Sequence, residues 1–543
     1  MSELGPIPPL PSRIAALVHA HFDALPTRSK PTIFPDGSRE WIPMTGIVIV
    51  KGENTPSESL TCIAVTSGAK CLPASHIPRC RGLVLHDCHA EILAIRAFNY
   101  WLLTECYGFL SKERQQMTSP HLNTGSGLNH ISESPFIRRR NIEKASHASS
   151  SLAIDWPPFE FQPDVTVYMY CTCAPCGDAS MELCMAAQED ATPWEVLRQP
   201  DPNSTDLEKG EEKSPVLLDG RAHFSLLGVV RRKPARMDAE STRSKSCSDK
   251  LALRQVSSLL SAETSRFVAP TGNAYLAGLI LPEAEISRAA CERCFGETGR
   301  MQALTGRSWP TSPEENAQKT AYRFHPFRVL SVPAEEIQAL WRFAKPKPIP
   351  TCPASSASEQ QGDTTPTQKK SKPGNVSAVW TVAPSFSHPS ATVPDPGSKS
   401  LPALRRSKTG LYETIINGVK QGNRATSPLA RGASALCRAK LWALVQEMVQ
   451  YLASDDAQVD ARAEDHPAEC VEPDMSQNSM LQHIHRAATY SEFKNTPSDI
   501  FNPIRVRVQA IEDAKKVLEG WIPNSGDEGW GLEVLVDPKK RKR

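Results

Sequence analysis

The chain has 543 residues, 40% of them hydrophobic, and its 46 prolines predict a folded core interrupted by disordered insertions. Its formal net charge of +2 excludes a globally basic nucleic-acid-binding protein, so any affinity for nucleic acid must come from local patches. The 15 cysteines are irregularly spaced and no signal-peptide pattern is seen at the start, which indicates an intracellular protein with reduced thiols. No apolar run reaches the roughly 20 residues that a membrane helix needs, so no membrane segment is expected. The expected location is the nucleus, the cytoplasm or both.

Helical and strand patterns alternate in the N-terminal part of the chain. A helix is predicted over residues 13–25 with Ser12 as its cap, and two strands of one sheet are predicted over residues 46–50 and 60–66. A longer helix is predicted from His89 onward. Its buried face is expected to consist of Ile92, Leu93, Ile95, Phe98, Trp101 and Leu102. The alternation favours an α/β sheet with helices on its faces.

The start of this longer helix carries the tripeptide His89-Ala90-Glu91. A neutral imidazole is a good zinc ligand, and a carboxylate held beside the metal can transfer a proton for a zinc-bound water. Most such tripeptides are merely solvated helix starts, so the pattern has little weight alone. It gains weight here because the zinc nucleobase deaminases combine it with a later Pro-Cys element, which this chain has at Pro175-Cys176.

Cys176 follows an apolar, β-rich run over residues 165–170 and begins a predicted helix that ends at Ala187. Pro175 is tolerated in the first turn of that helix because the N–H that it lacks would be unpaired there. A thiol at a helix start has a lowered pKa, which favours the thiolate that zinc binds. Cys176 is therefore a second candidate ligand.

Spacing alone leaves the third ligand open. In the ordinary cytidine-deaminase pattern it lies three residues after Cys176, where this chain has Ala179. Cys184 lies two helical turns further on, about 12 Å along the axis, which is too far to share an ion. Cys173 forms a Cys-x-x-Cys pair with Cys176 and competes by spacing. The remaining candidate is Cys247, at the polar start of another predicted helix.

The rest of the chain is predicted to continue the same domain with insertions. Further strands are predicted over 225–230, 275–281 and 324–332, and further helices over 283–300, 434–452, 481–494 and 506–518. The expected organisation is a single domain over 1–543, with a core of about 45–343 plus 402–535, a surface insertion at 111–157, a disordered insertion at 345–401, an acidic linker at 453–473 and a basic tail at 536–543. The tail is a candidate nuclear-localisation signal or RNA contact.

Four cations precede Cys247, at Arg231, Arg232, Lys233 and Arg236. Two interpretations stand beside each other: a solvated loop, and a clamp for RNA phosphates at the mouth of the pocket.

Taken together, His89-Ala90-Glu91, Pro175-Cys176-Gly177 and the run from Ser246 to Ala252 resemble the adenosine-deaminase domain of the double-stranded-RNA editing deaminases and of the eukaryotic tRNA-specific adenosine deaminases, with greater similarity to the tRNA enzymes. The resemblance implies a cytidine-deaminase-like core, a mixed sheet flanked by helices, with a helical C-terminal extension. It also implies zinc held by His89, Cys176 and Cys247, with Glu91 as the proton shuttle.

The resemblance further implies a buried inositol hexakisphosphate, a polyanion that can be buried only where many cations converge. The matching positions in this chain are Arg96, Lys250, Arg254, Arg438, Tyr490, Lys494, Lys515 and Trp530. The chain departs from the family pattern in three places, with His86 for Asn, Ile95 for Arg, and Leu253-Arg254 for Arg-Trp.

The expected function is zinc-dependent deamination of adenosine to inosine in tRNA, at the adenosine just 3′ of the anticodon in alanine tRNA. The expected partner is therefore tRNA, with no membrane and no obligate protein partner. The alternatives are an editor of double-stranded or messenger RNA, a non-catalytic RNA-binding relative and a deaminase of free nucleosides. No stretch of this chain has the room and pattern for a separate double-stranded-RNA-binding domain, and the four motif residues are intact, which disfavours the first two alternatives.

Overall fold

The computed structural model describes twelve stretches of the chain: residues 7–118, 134–140, 157–187, 218–220, 226–233, 239–310, 321–346, 372–386, 410–463, 481, 483–495 and 502–536. Arg236 and most of the predicted basic tail lie outside these residues. Among the described residues, no helix combines the length and the apolar character that crossing a membrane requires.

The centre of the structure is an eight-stranded mixed sheet. The strands of the described residues are β1 Met44–Lys51, β2 Ser59–Ser67, β3 Ala69–Cys71, β4 Asp87–His89, β5 Ile137–Arg139, β6 Phe159–Phe161, β7 Val165–Cys171, β8 Leu218–Asp219, β9 Arg231–Arg232, β10 Leu276–Pro282, β11 Ser308–Trp309, β12 Tyr322–Arg323, β13 Arg328–Val332, β14 Ser377–Thr381, β15 Tyr412–Ile416 and β16 Val419–Lys420. The large sheet has the order β13-β10-β7-β1-β2-β14-β15-β16, parallel from β13 to β7 and antiparallel elsewhere.

Helices cover both faces of this sheet. They are α1 Leu10–Asp23, α2 Ala90–Thr118, α3 Met181–Ala186, α4 Cys247–Ser257, α5 Arg288–Phe295, α6 Ala334–Leu340, α7 Arg438–Ala463, α8 Tyr490–Lys494 and α9 Asn502–Val517. Strand β1 shows why two layers are needed, because Ile47 and Ile49 pack in the core under α2 and α7, whereas Val48 and Val50 pack in the core under α1 and α6. The predicted α/β core with a helical C-terminal extension is confirmed.

The predicted disordered insertion at 345–401 is wrong in its middle part. Strand β14 lies inside that range and forms an inner strand of the large sheet, with Val379 opposite Thr66 of β2 and Trp380 opposite Tyr412 of β15. The strand is only five residues long, and the surrounding Pro, Ser and Thr concealed it, because composition is averaged over a longer window.

Two other predicted boundaries differ for a similar reason. Helix α2 continues to Thr118 and strand β5 pairs with β6, so the predicted insertion at 111–157 contains ordered segments. Helix α7 continues to Ala463, well into the predicted acidic linker. In each of these segments the helix or strand extends into a stretch whose composition is already polar, because helix propagation and packing against the core do not require apolar residues at every position.

Candidate metal centre and catalytic pocket

Three separate parts of the chain bring candidate ligands to one place. His89 ends β4, directly before α2; Cys176 lies in the loop after β7; and Cys247 is the first residue of α4. Ser246 caps α4, with its hydroxyl oxygen accepting the backbone N–H of Asp249. Gly177, at φ +103°, allows the Cys176 loop to approach this cap, because a Cβ there would lie 2.2 Å from the hydroxyl oxygen of Ser246.

The predicted helix from Cys176 to Ala187 is correct only at its end. A single 3-10 turn and the short α3 form, and α3 begins at Met181, so Cys176 is not at an α-helix N-terminus. Its pKa has another cause. A hydrogen bond from the neighbouring Cys247 thiol lowers the pKa of Cys176, which favours the thiolate that zinc binds.

The donor atoms of His89, Cys176 and Cys247 fit a zinc ion. The Nδ1 atom of His89 lies 3.6 Å from Sγ of Cys176 and 3.6 Å from Sγ of Cys247. Tetrahedral zinc with bonds of about 2.0 to 2.3 Å separates such donors by roughly 3.3 to 3.8 Å. Among the described residues, the groups of potential ligands that include His89 contain Cys176 with Cys247, or Cys71 with Asp87, and neither contains Cys173.

Glu91 lies in the first turn of α2 with its carboxyl group buried. Glu91 is 3% exposed, and its Oε2 atom has no hydrogen-bond partner among the described residues. Burial raises the pKa of Glu91, and the Cys176 thiolate raises it further, against the opposing effect of His89. A buried carboxylate oxygen without a partner indicates a place for water or substrate.

Asp87 anchors a buried charge network behind the metal ligands. Its Oδ2 atom lies 2.8 Å from Nζ of Lys233 and also forms an ion pair with Lys250, while its Oδ1 atom accepts the backbone N–H of His89 at 3.0 Å. Burial alone would raise the pKa of Asp87, but Lys233 and Lys250 hold it well below its usual value. Lys233 also donates to Sγ of Cys247 at 3.3 Å, so it links this network to a metal ligand.

We expect Lys233→Met to destabilise the zinc-loaded protein by about 3 kcal/mol, because removing one partner of a buried pair leaves the charge of Asp87 poorly compensated. The estimate is at the low end of the usual range because Lys250 still faces Asp87. The free energy of unfolding in urea measures the loss. Arg232→Met is the matched control, since Arg232 pairs with Asp219 in a partly solvated position and should contribute at most about 1 kcal/mol. Equal losses in the two variants would contradict the buried-pair interpretation.

The predicted RNA clamp is wrong for Arg231 and Lys233. Arg231 is 1% exposed and its guanidinium donates to the carbonyls of Gly220 and Leu226, while Lys233 is 4% exposed and faces Asp87. Arg232 is half-buried and forms an ion pair with Asp219, and Arg236 lies outside the described residues. A run of cations in sequence does not distinguish solvated charges from charges that stabilise the interior.

The predicted polyphosphate residues belong to a second cation-rich region. Arg254 and Arg507 both donate to the carbonyl of Leu260, at 2.8 and 3.0 Å, and Arg96 donates to that of Leu436. The pKa of Arg254 is lowered to about 9, first by burial and then by the neighbouring Arg507 and Arg96. The guanidinium groups of Arg507 and Arg96 are thus close enough to repel that of Arg254, and the buried carboxylate of Glu263 opposes this effect.

The lysines of this region show the same effect. Burial lowers the pKa of Lys245 to about 8, with Lys250 and Lys515 contributing. Burial also lowers the pKa of Lys494 and of Lys515, and each of these lysines has another cation as its next cause. Converging cations with depressed pKa values are the environment that a polyanion would occupy. Arg507 and Lys245 were not predicted, because no motif marks them in the sequence.

The remaining residues of this region, Arg438, Tyr490 and Trp530, are held by contacts with other side chains of the protein. The Arg438 guanidinium lies 2.9 Å from Oδ2 of Asp527, and the rings of Tyr490 and Trp530 stack with centroids 4.8 Å apart. His86, one of the departures from the family pattern, lies 3.0 Å from the same Asp527 carboxylate. Arg438 therefore already has an ion-pair partner, whereas Arg254 forms no ion pair with the residues that the structure describes.

Comparison with known proteins shows which family the sequence resembles. The sequence matches the adenosine-deaminase (editase) domain over residues 64–131 and 143–387. It is 36% identical over 318 residues to tRNA-specific adenosine deaminase 1 of Schizosaccharomyces pombe, a match that covers 58% of this chain and 66% of the relative.

Two further relatives match over shorter stretches. The chain is 30% identical over 251 residues to tRNA-specific adenosine deaminase 1 of Saccharomyces cerevisiae, covering 46% of this chain and 54% of that protein. It is 30% identical over 138 residues to double-stranded RNA-specific editase B2 of Rattus norvegicus, covering 25% of this chain and 14% of the relative. The matches thus span between about half and two thirds of the yeast proteins and a small part of the editase.

Proposed function

The chain belongs to the adenosine-deaminase (editase) domain family, and we propose that it converts adenosine to inosine in tRNA by zinc-dependent hydrolysis. The observation that carries the proposal is the convergence of His89, Cys176 and Cys247 beside the buried carboxyl group of Glu91. An imidazole and two thiolates are the donor set of the zinc nucleobase deaminases, and a nearby carboxylate that is not a ligand is their acid–base group.

Zinc held by this donor set supplies Lewis-acid activation of water near neutral pH. In the proposed reaction, water adds at C6 of adenine and ammonia leaves, so that adenosine and water give inosine and ammonia. Glu91 takes up one proton of the attacking water at Oε2 and delivers it to N1 of the purine ring. The second proton passes from the new C6 hydroxyl through Glu91 to the amine, so that the C6–N bond breaks, ammonia leaves and the C6 carbonyl of inosine forms. The raised pKa of Glu91 suits it to both roles, because burial makes this carboxyl group a better proton acceptor than an ordinary glutamate.

The substrate proposal is tRNA, and within it the adenosine just 3′ of the anticodon in alanine tRNA. The two yeast relatives are named as tRNA-specific deaminases, which supports tRNA as the substrate class. A reactive base must leave its stack to enter such a pocket, and the bases of an anticodon loop are only partly stacked, so the loop lowers the cost of extrusion.

A deamination assay tests this proposal. Purified zinc-loaded protein is incubated with transcripts of alanine tRNA, other tRNAs, a long RNA duplex and free adenosine, and inosine is located by sequencing. The expected result is inosine only beside the anticodon of alanine tRNA. Inosine mainly in the duplex would replace tRNA by double-stranded RNA as the substrate, and inosine in none of these would overturn the proposed function.

We also propose that the cation-rich region around Arg254, Lys494 and Lys515 holds inositol hexakisphosphate. We expect this ligand to raise the melting temperature of protein that lacks it, with a gain of about 2.7 kcal/mol at a hundredfold excess over Kd. Uncharged inositol is the matched control. An unchanged melting temperature with the hexakisphosphate at neutral pH would contradict the proposal.

The affinity for this ligand should fall as the pH rises through about 8. Lys245 loses its proton near that pH in the unliganded protein, and a bound polyanion favours the charged form. Binding above pH 8 therefore requires proton uptake, which isothermal titration calorimetry in buffers of different ionisation enthalpy measures directly. Replacing Lys245 by Met should weaken this dependence near pH 8.

A further inference from the structure

A pocket of about 330 Å3 lies beside the metal centre. Its walls come from the segment around Lys70 and His76 and from the turn around Arg424 and Thr426. The apolar floor includes Leu85, which is buried. The volume is at the lower end of the range for small-molecule sites, so the pocket has room for a ligand of about the size of one nucleotide.

Cys71 connects this pocket directly to the metal centre. It lines the pocket, and its Sγ atom lies within 4.8 Å of a ring nitrogen of His89 and of a carboxylate oxygen of Asp87. Strand β3 pairs with β4 so that Ala69 lies opposite His89. A ligand in the pocket is therefore separated from the metal ligands by a single side chain.

The surface around the pocket is strongly basic. Apart from Cys88, the residues that line the pocket belong to the segments 66–86 and 414–437, which contain no Asp or Glu. The acids that border these segments, Asp87 and Glu413, are buried. The cations of these segments whose side chains form neither a hydrogen bond nor an ion pair with the described residues are Lys70, Arg79, Arg81, Lys420, Arg424 and Arg431. The carboxylate of Glu240 reaches the edge of this surface, where it accepts the backbone N–H of Ser75.

A small apolar core holds the two basic segments together. Ile77, Cys80 and Val84 of the first segment are buried against Val419 of the second. The backbone N–H of Leu85 donates to the carbonyl of Gly418 at 2.9 Å, and Gly418 has φ +81° with no room for a Cβ, which would lie 2.3 Å from the carbonyl oxygen of Leu85. The cations therefore project from a packed scaffold rather than from independent loops.

We propose that this pocket binds one unpaired nucleotide of the RNA next to the target adenosine, and that the surrounding cations hold the adjoining phosphates. The proposal rests on the proposed function, because it assigns the substrate's neighbouring nucleotide to a subsite. Phosphates account for unpaired cations next to a catalytic centre. An unstacked base accounts for the apolar floor and for the polar rim at Thr426. Substrate recognition thus lies on the 66–86 and 414–437 segments, whereas Arg231 and Lys233 serve the interior.

Charge reversal tests the phosphate contacts. Arg424→Glu and Arg79→Glu are measured against Arg342→Glu, which changes an exposed arginine on the segment that packs against the other face of the sheet. We expect the first two variants to raise the Kd for an alanine tRNA transcript about tenfold and to reduce the slope of log Kd against log salt by about one unit each. Since phosphate contacts are kept in the transition state, KM should rise while kcat stays unchanged.

Filling the pocket tests the nucleotide subsite separately. Thr426 is exposed at the rim, so we expect Thr426→Trp to fold. Circular dichroism and zinc content are the measurements that check its folding. We expect kcat/KM to fall about tenfold while the salt slope stays at the wild-type value. Unchanged kcat/KM in this variant would overturn the subsite, and binding of Arg424→Glu and Arg79→Glu at the level of Arg342→Glu would overturn the phosphate surface. Should the wild-type protein form no inosine in any RNA, the proposed function fails, while the Kd comparison still decides the surface.

Discussion

Glu91→Gln should retain zinc and lose inosine formation by a factor of about 10²–10⁴, the usual contribution of a general acid–base group. The amide has the shape of the carboxyl group but does not take up and return a proton. The buried carboxyl group has a raised pKa, which means that its charged form is disfavoured where it lies. The fold should therefore tolerate the neutral side chain, and we expect an unchanged or higher melting temperature.

The control for this variant lies on the same helix. Glu105 is fully buried in α2, and its carboxylate accepts hydrogen bonds from the hydroxyl of Ser134 and the backbone N–H of Ser385, at 2.6 and 2.7 Å. Burial raises the pKa of Glu105 as well. Glu105→Gln should keep full activity, because this carboxyl group is engaged in structural hydrogen bonds. Normal turnover by Glu91→Gln, with zinc present in about one ion per chain, would remove Glu91 from the proposed mechanism.

Cys247→Ser should lose zinc far more readily than Cys173→Ser. Changes that only perturb the partners of a ligand usually cost 10- to 100-fold in metal affinity, so removal of a thiolate ligand should cost at least about 100-fold. The Sγ atom of Cys247 lies 3.6 Å from Nδ1 of His89, whereas Cys173 belongs to no group of potential ligands among the described residues. Zinc content after dialysis against a graded series of chelator concentrations measures the difference.

Cys173→Ser provides the decisive comparison for this prediction. Burial raises the pKa of Cys173 well above its usual value, and the neighbouring Glu91 raises it further, so this thiol is expected to stay protonated. Its replacement by the similar hydroxyl should leave zinc content near one per chain. A greater loss of zinc from Cys173→Ser than from Cys247→Ser would transfer the third ligand to Cys173.

The sequence determined the parts of this protein that depend on short-range patterns. Alternating apolar runs predicted the α/β core, and a polar stretch before an apolar run predicted the start of α4. The tripeptide His89-Ala90-Glu91 and the pair Pro175-Cys176 identified the chemistry, because each motif places its side chains within a few residues.

The tertiary structure alone decided which side chains meet and which charges are buried. His89 is 87 residues from Cys176 and 158 from Cys247, so spacing did not choose between Cys173 and Cys247 as the third ligand. The packing of α4 against the Cys176 loop decides it, because this packing brings Cys247 to His89 and Cys176. Arg231 and Arg424 are equally cationic in sequence, yet the first is enclosed and the second is exposed. The physical reason is that burial and charge pairing depend on contacts between distant segments, which local composition and periodicity do not report.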